Sequence, residues 1–189
     1  ITTPFPHLPI TIDGITAQTD RAGTLRVALL WGPHNVTVPE PIPEQDGVRQ
    51  FLVGWSDNIS SANRQVIISD NMTLHANYER QYRLDVNSPF GTTKGAGWYF
   101  ANEPAKIEIQ PTWVFSEGLL GLTGVREVFD HWTGACTSSQ PDCTLSIDGP
   151  KVTTAVWRED YTIPIAILAI GAIVVGILLL RGIRNKYPA

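Results

Sequence analysis

The 189 residues hold only two cysteines, one methionine and four histidines, and each shortage excludes something. Two cysteines cannot supply the paired Cys-x-x-Cys groups of a structural zinc site. The histidines, His7, His34, His75 and His131, show neither His-Glu-x-x-His nor His-x-His spacing, so the sequence points to no metal ligand set. Their ordinary reading is surface or half-buried strand positions. Basic residues are also outnumbered: 14 Lys and Arg against 18 acids leave a net charge of −4, which argues against a grip on nucleic acid phosphate. Gly95-Ala-Gly-Trp98 lacks the third glycine of a dinucleotide loop, and neither a Walker lysine loop nor a Gly-x-Ser-x-Gly elbow occurs. No catalysis and no cofactor are therefore expected.

What is present is the composition of a folded chain: 43% hydrophobic residues, 17% charged, mean hydropathy near zero, with 14 Pro and 16 Gly marking many turns. Residues 161–180 carry no formal charge, and Ile163 to Leu180 is almost wholly aliphatic. Twenty helical residues at about 1.5 Å each span roughly 30 Å, the hydrocarbon thickness of a bilayer. A transmembrane helix is expected at 161–180, with Pro164 in its first turn, where a missing N–H costs least. Arg181, Arg184 and Lys186 follow it, whereas every acid lies at or before Asp160. The positive-inside rule then places the basic tail, residues 181–189, in the cytoplasm and the long N-terminal part outside. Such an orientation needs an export signal. The chain begins at Ile1 without a basic or apolar leader, as a mature form would after signal removal, or a truncated piece. Within the span, Ala166, Ala169, Ala172 and Gly176 put small residues on one helix face, where a second membrane helix could approach closely; small residues are also simply common in such helices.

Before the span, short segments rich in Val, Ile, Thr and aromatics alternate with turn residues, at 24–30, 50–55, 65–69, 73–78, 82–86, 97–101, 105–110, 125–132, 144–147 and 152–157. Those are strand signals, and no 3.6-residue pattern competes with them. An internal comparison sharpens the reading. Arg49-Gln-Phe-Leu-Val-Gly-Trp55 lies over Arg126-Glu-Val-Phe-Asp-His-Trp132, and Ile68-Ser-Asp-Asn-Met-Thr-Leu-His-Ala-Asn-Tyr78 over Ile147-Asp-Gly-Pro-Lys-Val-Thr-Thr-Ala-Val-Trp157, at a period of 77 to 79 residues. The expected fold is all-β: two tandem small β modules, 1–80 and 81–160, followed by a single C-terminal transmembrane α-helix.

The stretch Phe129-Asp-His-Trp-Thr-Gly-Ala-Cys136 with the following Ile147-Asp-Gly-Pro-Lys151 turn and Ala155-Val-Trp157 resembles the closing half of divergent internalin B-repeat-like modules of bacterial and archaeal surface proteins. The preceding Leu84-Asp-Val-Asn-Ser-Pro-Phe-Gly91 and Gly95-Ala-Gly-Trp-Tyr99 are similar to their opening half. The likeness covers residues 82–157 well. The first copy keeps Gly54-Trp55-Ser56 and the last hairpin, while Pro39-Glu-Pro-Ile-Pro-Glu44 reads as an inserted loop. The resemblance implies a surface module used as stalk, spacer or contact domain.

Cys136 and Cys143 flank a six-residue loop between expected strands, and an exported chain would join them in a disulfide. Asn35-Val-Thr, Asn58-Ile-Ser and Asn71-Met-Thr are glycosylation sequons, all ahead of the span, with Asn58 and Asn71 expected at exposed tips. Of six tryptophans, Trp55, Trp132 and Trp157 recur with the repeat and are expected in the core. Trp31, Trp98 and Trp113 fit either core or an exposed aromatic surface for carbohydrate or a protein partner.

The function these features support is a single-pass, membrane-anchored extracellular structural or interaction protein at the cell membrane. Its expected partners are the lipid bilayer and either a surface layer or other membrane subunits. The second reading is an accessory single-span subunit of a larger membrane complex, such as a respiratory or oxidase assembly.

Overall fold

The computed structural model describes residues 1–186, with side chains as far as Arg181. In chain order the elements are β1 (Pro9–Ile12), β2 (Ile15–Gln18), β3 (Gly32–Thr37), β4 (Ile42–Gln45), β5 (Val48–Trp55), β6 (Asn63–Ile68), β7 (Ala76–Asn87), β8 (Thr92–Lys94), β9 (Gly97–Phe100), β10 (Glu103–Gln110), β11 (Trp113–Phe115), α1 (Gly118–Leu122), β12 (Arg126–Gly134), β13 (Asp142–Ile147), β14 (Lys151–Asp160) and α2 (Thr162–Lys186). The chain is mostly β, with one long apolar helix at its C-terminal end. It forms two compact units: Ile1–Leu84 with Gly97–Ala105 and Ser146–Lys151, and Asp85–Ala96 with Lys106–Leu145 and the chain from Val152 onward.

In the first unit an antiparallel sheet of order β2-β1-β3-β6 accompanies the antiparallel set β4-β5-β7, with β9 against β7. The β1–β2 hairpin closes on Asp13-Gly14, both with positive φ (50° and 83°), the backbone a two-residue primed turn requires. Ile10, Ile12, Val36, Val38, Leu52, Trp55, Val66 and Leu74 form the core. Strand β5 shows how its tryptophan gets inside. Val48, Gln50 and Leu52 alternate inward, and a register shift between Leu52 and Gly54 inserts one extra residue, Val53, so that Trp55 also faces the core.

The second unit holds the orders β13-β10-β8 and β11-β12-β14. Its buried residues include Ile107, Ile109, Val125, Phe129, Trp132 and Ala155. Here β12 shifts register between Phe129 and His131, and the same three-residue step carries burial from Phe129 to Trp132.

Several expectations change. Residues 24–30 are not a strand beyond one bridge at Thr24: Leu25 and Leu29 do pack on the core, but the segment finds no partner strand to complete a ladder. The segments at 73–78 and 82–86 belong to one strand, β7, which starts at Ala76. The supposed insertion at 39–44 runs into β4, and α1 adds a helical turn to a region expected to be wholly β. Strands β1, β2, β3, β4, β8 and β11 were outside the expected set.

Within α2, Thr162–Arg181 is long and apolar enough to cross a membrane, and none of these residues is buried. Arg181 is exposed, while the side chains of Arg184 and Lys186 lie outside the described residues.

Candidate functional site

The junction between β14 and α2 is built tightly, because only Tyr161 separates strand from helix. Asp160 ends the strand and caps the helix: its Oδ1 accepts from the Thr162 N–H at 2.9 Å and from the Thr162 hydroxyl, while Oδ2 receives the Arg126 guanidinium. The carboxylate also meets the positive end of the helix dipole. The Thr162 hydroxyl and N–H, then Arg126, hold Asp160 down at about 2. A depressed carboxylate pKa means that this capping contribution is present above the ordinary value near 3.8 and is lost as pH falls through about 2. Pro164 falls in the first turn, as expected, where no acceptor needs its N–H. Arg126 in turn lies over the Trp113 ring, 5.3 Å from its centroid.

At the other described surface, in the first unit, Ile1, Leu25, Val27, Leu29, Val66 and Met72 line part of an apolar cavity of about 80 Å3. That is far below the roughly 300–1,000 Å3 of a drug-sized ligand site. Next in the chain to the lining residue Leu29, Leu30 and Trp31 stand 84% and 85% exposed. His34 fastens this segment: its Nδ1 bonds Asp13 at 2.6 Å and its Nε2 bonds the Leu30 carbonyl at 2.8 Å. Both acceptors call for a ring N–H, so the doubly protonated imidazolium fits best. The Asp13 bond, then that to Leu30, pushes the His34 pKa up, and His34 with the Asn35 N–H pulls Asp13 down. The raised imidazole stabilises fully below its ordinary value near 6.5 and loses that contribution as pH rises through the folded value. The lowered carboxylate contributes above about 3.8 and loses it in acid. The pair should therefore hold the 30–34 segment best between about pH 4 and 6.5. In an NMR titration His34 is expected to titrate above the ordinary imidazole range and to fall back when Asp13 is replaced by Asn; a wild-type His34 at or below that range would contradict the assignment.

The sequence-derived residues fall as follows. Cys136 and Cys143 are joined in a disulfide, closing a loop whose entropy in the unfolded chain would otherwise cost about 2–3 kcal/mol. Asn35, Asn58 and Asn71 are all exposed; Asn35 sits in strand β3, and Asn58 adopts a left-handed turn conformation (φ 66°). Ala166, Ala169 and Ala172 are exposed on α2 and Gly176 is half-buried; a Cβ added at Gly176 would meet nothing within 4 Å. Trp55 and Trp132 are fully buried, whereas Trp157 is half-buried between Phe90 and Phe129, its Nε1 donating to the Ser88 hydroxyl. Trp98 is partly covered by Arg49, 4.3 Å from its centroid, and Trp113 by Arg126. Trp31 is the most exposed of the three less regular tryptophans. Among the described residues no three His, Cys, Asp or Glu side chains come together as a metal ion would require. Comparison of the chain with family models, with curated proteins and with solved structures finds no match.

Proposed function

We propose that the chain is a single-pass, membrane-anchored extracellular structural or interaction protein without catalysis of its own. The observation that carries this reading is α2: a twenty-residue span, Thr162–Arg181, long and apolar enough to cross a membrane, with none of its residues buried, directly continuing a folded β region. In water that surface would drive aggregation, whereas in a bilayer it is solvated by acyl chains. The basic residues Arg181, Arg184 and Lys186 favour a cytoplasmic tail. The β region is read as two tandem modules. Its support is topological: β6-β3-β1 has the order of β13-β10-β8, β4-β5-β7 that of β11-β12-β14, and each middle strand inserts one residue between a buried Leu52 or Phe129 and a buried Trp. Such modules suit a stalk or contact surface resembling internalin B-repeat-like domains, and the exposed Asn35, Asn58 and Asn71 are open to glycans.

A second reading, an accessory subunit of a larger membrane complex, is favoured by the exposed Leu30 and Trp31, an apolar surface that a partner subunit would cover. Native mass in mild detergent, with co-purifying chains identified, separates the two. A surface protein is expected alone or as a homo-oligomer; a stoichiometric set of other membrane subunits would replace that reading with the second.

A further inference from the structure

We propose that residues 113–124 form a lipid-contacting loop that enters the bilayer interface beside the first turn of α2, giving the chain a second membrane contact besides its helix. This rests on the membrane-anchored reading of α2. The segment Gly118-Leu-Leu-Gly-Leu-Thr-Gly-Val125 has no charge, and no residue of α1 is buried. Leu119 and Leu122 are 81% and 84% exposed, and Leu120 and Phe115 about half exposed. Single exposed leucines need no explanation, but three on one short helix beside an exposed phenylalanine form a patch.

Its position names the occupant. A Cβ added at Gly124 would stand 2.8 Å from Ile163 Cγ2 and 4.0 Å from Pro164 Cδ, so the loop closes directly against the first turn of the apolar helix. The lipid that surrounds α2 at that level reaches the loop without any rearrangement. Trp113 packs edge-on against Phe115 at 5.5 Å and carries the Arg126 guanidinium on its face, an apolar ring with a cation beside it, as suits the boundary between headgroups and acyl chains. Part of the loop's backbone is satisfied internally, at its closing end, which lowers the cost of leaving water. Ser116 N–H donates to Val125 O, Thr123 N–H and Val125 N–H to Leu120 O, and Gly124 N–H to Gly121 O, at 3.0–3.2 Å, while the Thr123 hydroxyl turns back to Leu120 O at 2.7 Å. Gly121 permits this closure, since a Cβ there would lie 1.9 Å from Ser116 O.

The test uses the full chain, disulfide intact, carrying one added cysteine labelled with an environment-sensitive fluorophore: Leu119→Cys, Leu122→Cys, Leu168→Cys within the anchor, or Asn71→Cys as the water-exposed reference. Each is reconstituted into phosphatidylcholine vesicles bearing doxyl groups either near the headgroup or deep in the acyl chain. The labels at 119 and 122 are expected to shift to the blue, to resist aqueous iodide, and to lose most emission to the shallow doxyl; the label at 168 should lose most to the deep one. If the label at 168 is quenched by lipid while those at 119 and 122 remain open to iodide, the loop proposal is overturned and the anchor stands. Labels at 119 and 122 shielded from both iodide and doxyl would mean that protein covers the loop, which equally overturns it. A label at 168 that no lipid quencher reaches would remove the anchor reading and the proposal together.

Discussion

Replacing Trp132 by alanine is expected to destabilise the protein by about 3–5 kcal/mol, and Trp55→Ala by a similar amount, the usual cost of deleting a fully buried aromatic side chain. Both are among the most completely buried large side chains, at 0% and 2% exposure. The two sites part company under a gentler change. Trp55 Nε1 donates to the Ser61 carbonyl at 3.0 Å, a bond that also ties down the loop following β5, whereas Trp132 Nε1 has no hydrogen-bond partner among the described residues. Phenylalanine at either position keeps most of the apolar contact and removes the indole N–H. Trp55→Phe then loses a hydrogen bond and strands a carbonyl, while Trp132→Phe removes a donor that was already unpaired. Thermal unfolding in detergent should therefore show Trp55→Phe as the more damaging by about 1 kcal/mol. Equal losses, or a larger loss at Trp132, would mean that the indole N–H of Trp132 is satisfied in the folded protein.

The second large effect concerns the anchor. Ile170→Arg combined with Val174→Arg puts two guanidinium groups on one face near the middle of the span. Each arginine opposes insertion by about 2.5–3.5 kcal/mol and forfeits the small favourable contribution of the aliphatic residue it replaces, so the pair costs roughly 6–8 kcal/mol. That rivals the summed preference of the remaining apolar residues for the bilayer. Ile170 and Val174 are 62% and 49% exposed, so the substitution breaks no buried packing in the β region. The expected result is a chain that leaves the membrane fraction yet keeps its Cys136–Cys143 bridge and its protease resistance before residue 161. Leucine at the same two positions should leave it in the membrane. Retention of the double arginine variant would show that something other than the helix holds the chain there.

The features legible in the sequence were those set by side-chain type. The apolar run announced α2, the internal repeat that sets Arg49–Trp55 over Arg126–Trp132 located the two tryptophans, and the two cysteines were close enough in sequence to bridge. What escaped was set by backbone partnership. Residues 24–30 alternate as a strand should, and Leu25 and Leu29 do face the core, yet alternation cannot say whether a neighbouring strand is present. Conversely, β3 begins Gly-Pro and would be discounted for its proline, although Pro33 sits opposite Ile67 in regular pairing. The β1–β2 hairpin carried a readable Asp-Gly turn signal between alternating residues. Helix α1 spans five residues, too few to display a helical period. The three-residue step from Leu52 to Trp55 and from Phe129 to Trp132 was visible as a motif, but its cause, an extra residue in a bulged strand, appears only in the strand register. The contacts of His34 with Asp13 and Leu30 likewise depend on a turn whose geometry no spacing rule exposes.

The measurement that bears most directly on the central claim is alkaline carbonate extraction of membranes containing the full chain, followed by detergent. A protein whose α2 crosses the bilayer should remain in the pellet through the carbonate wash and appear in solution only with detergent. Release by carbonate alone, with the β region still folded, would contradict the account.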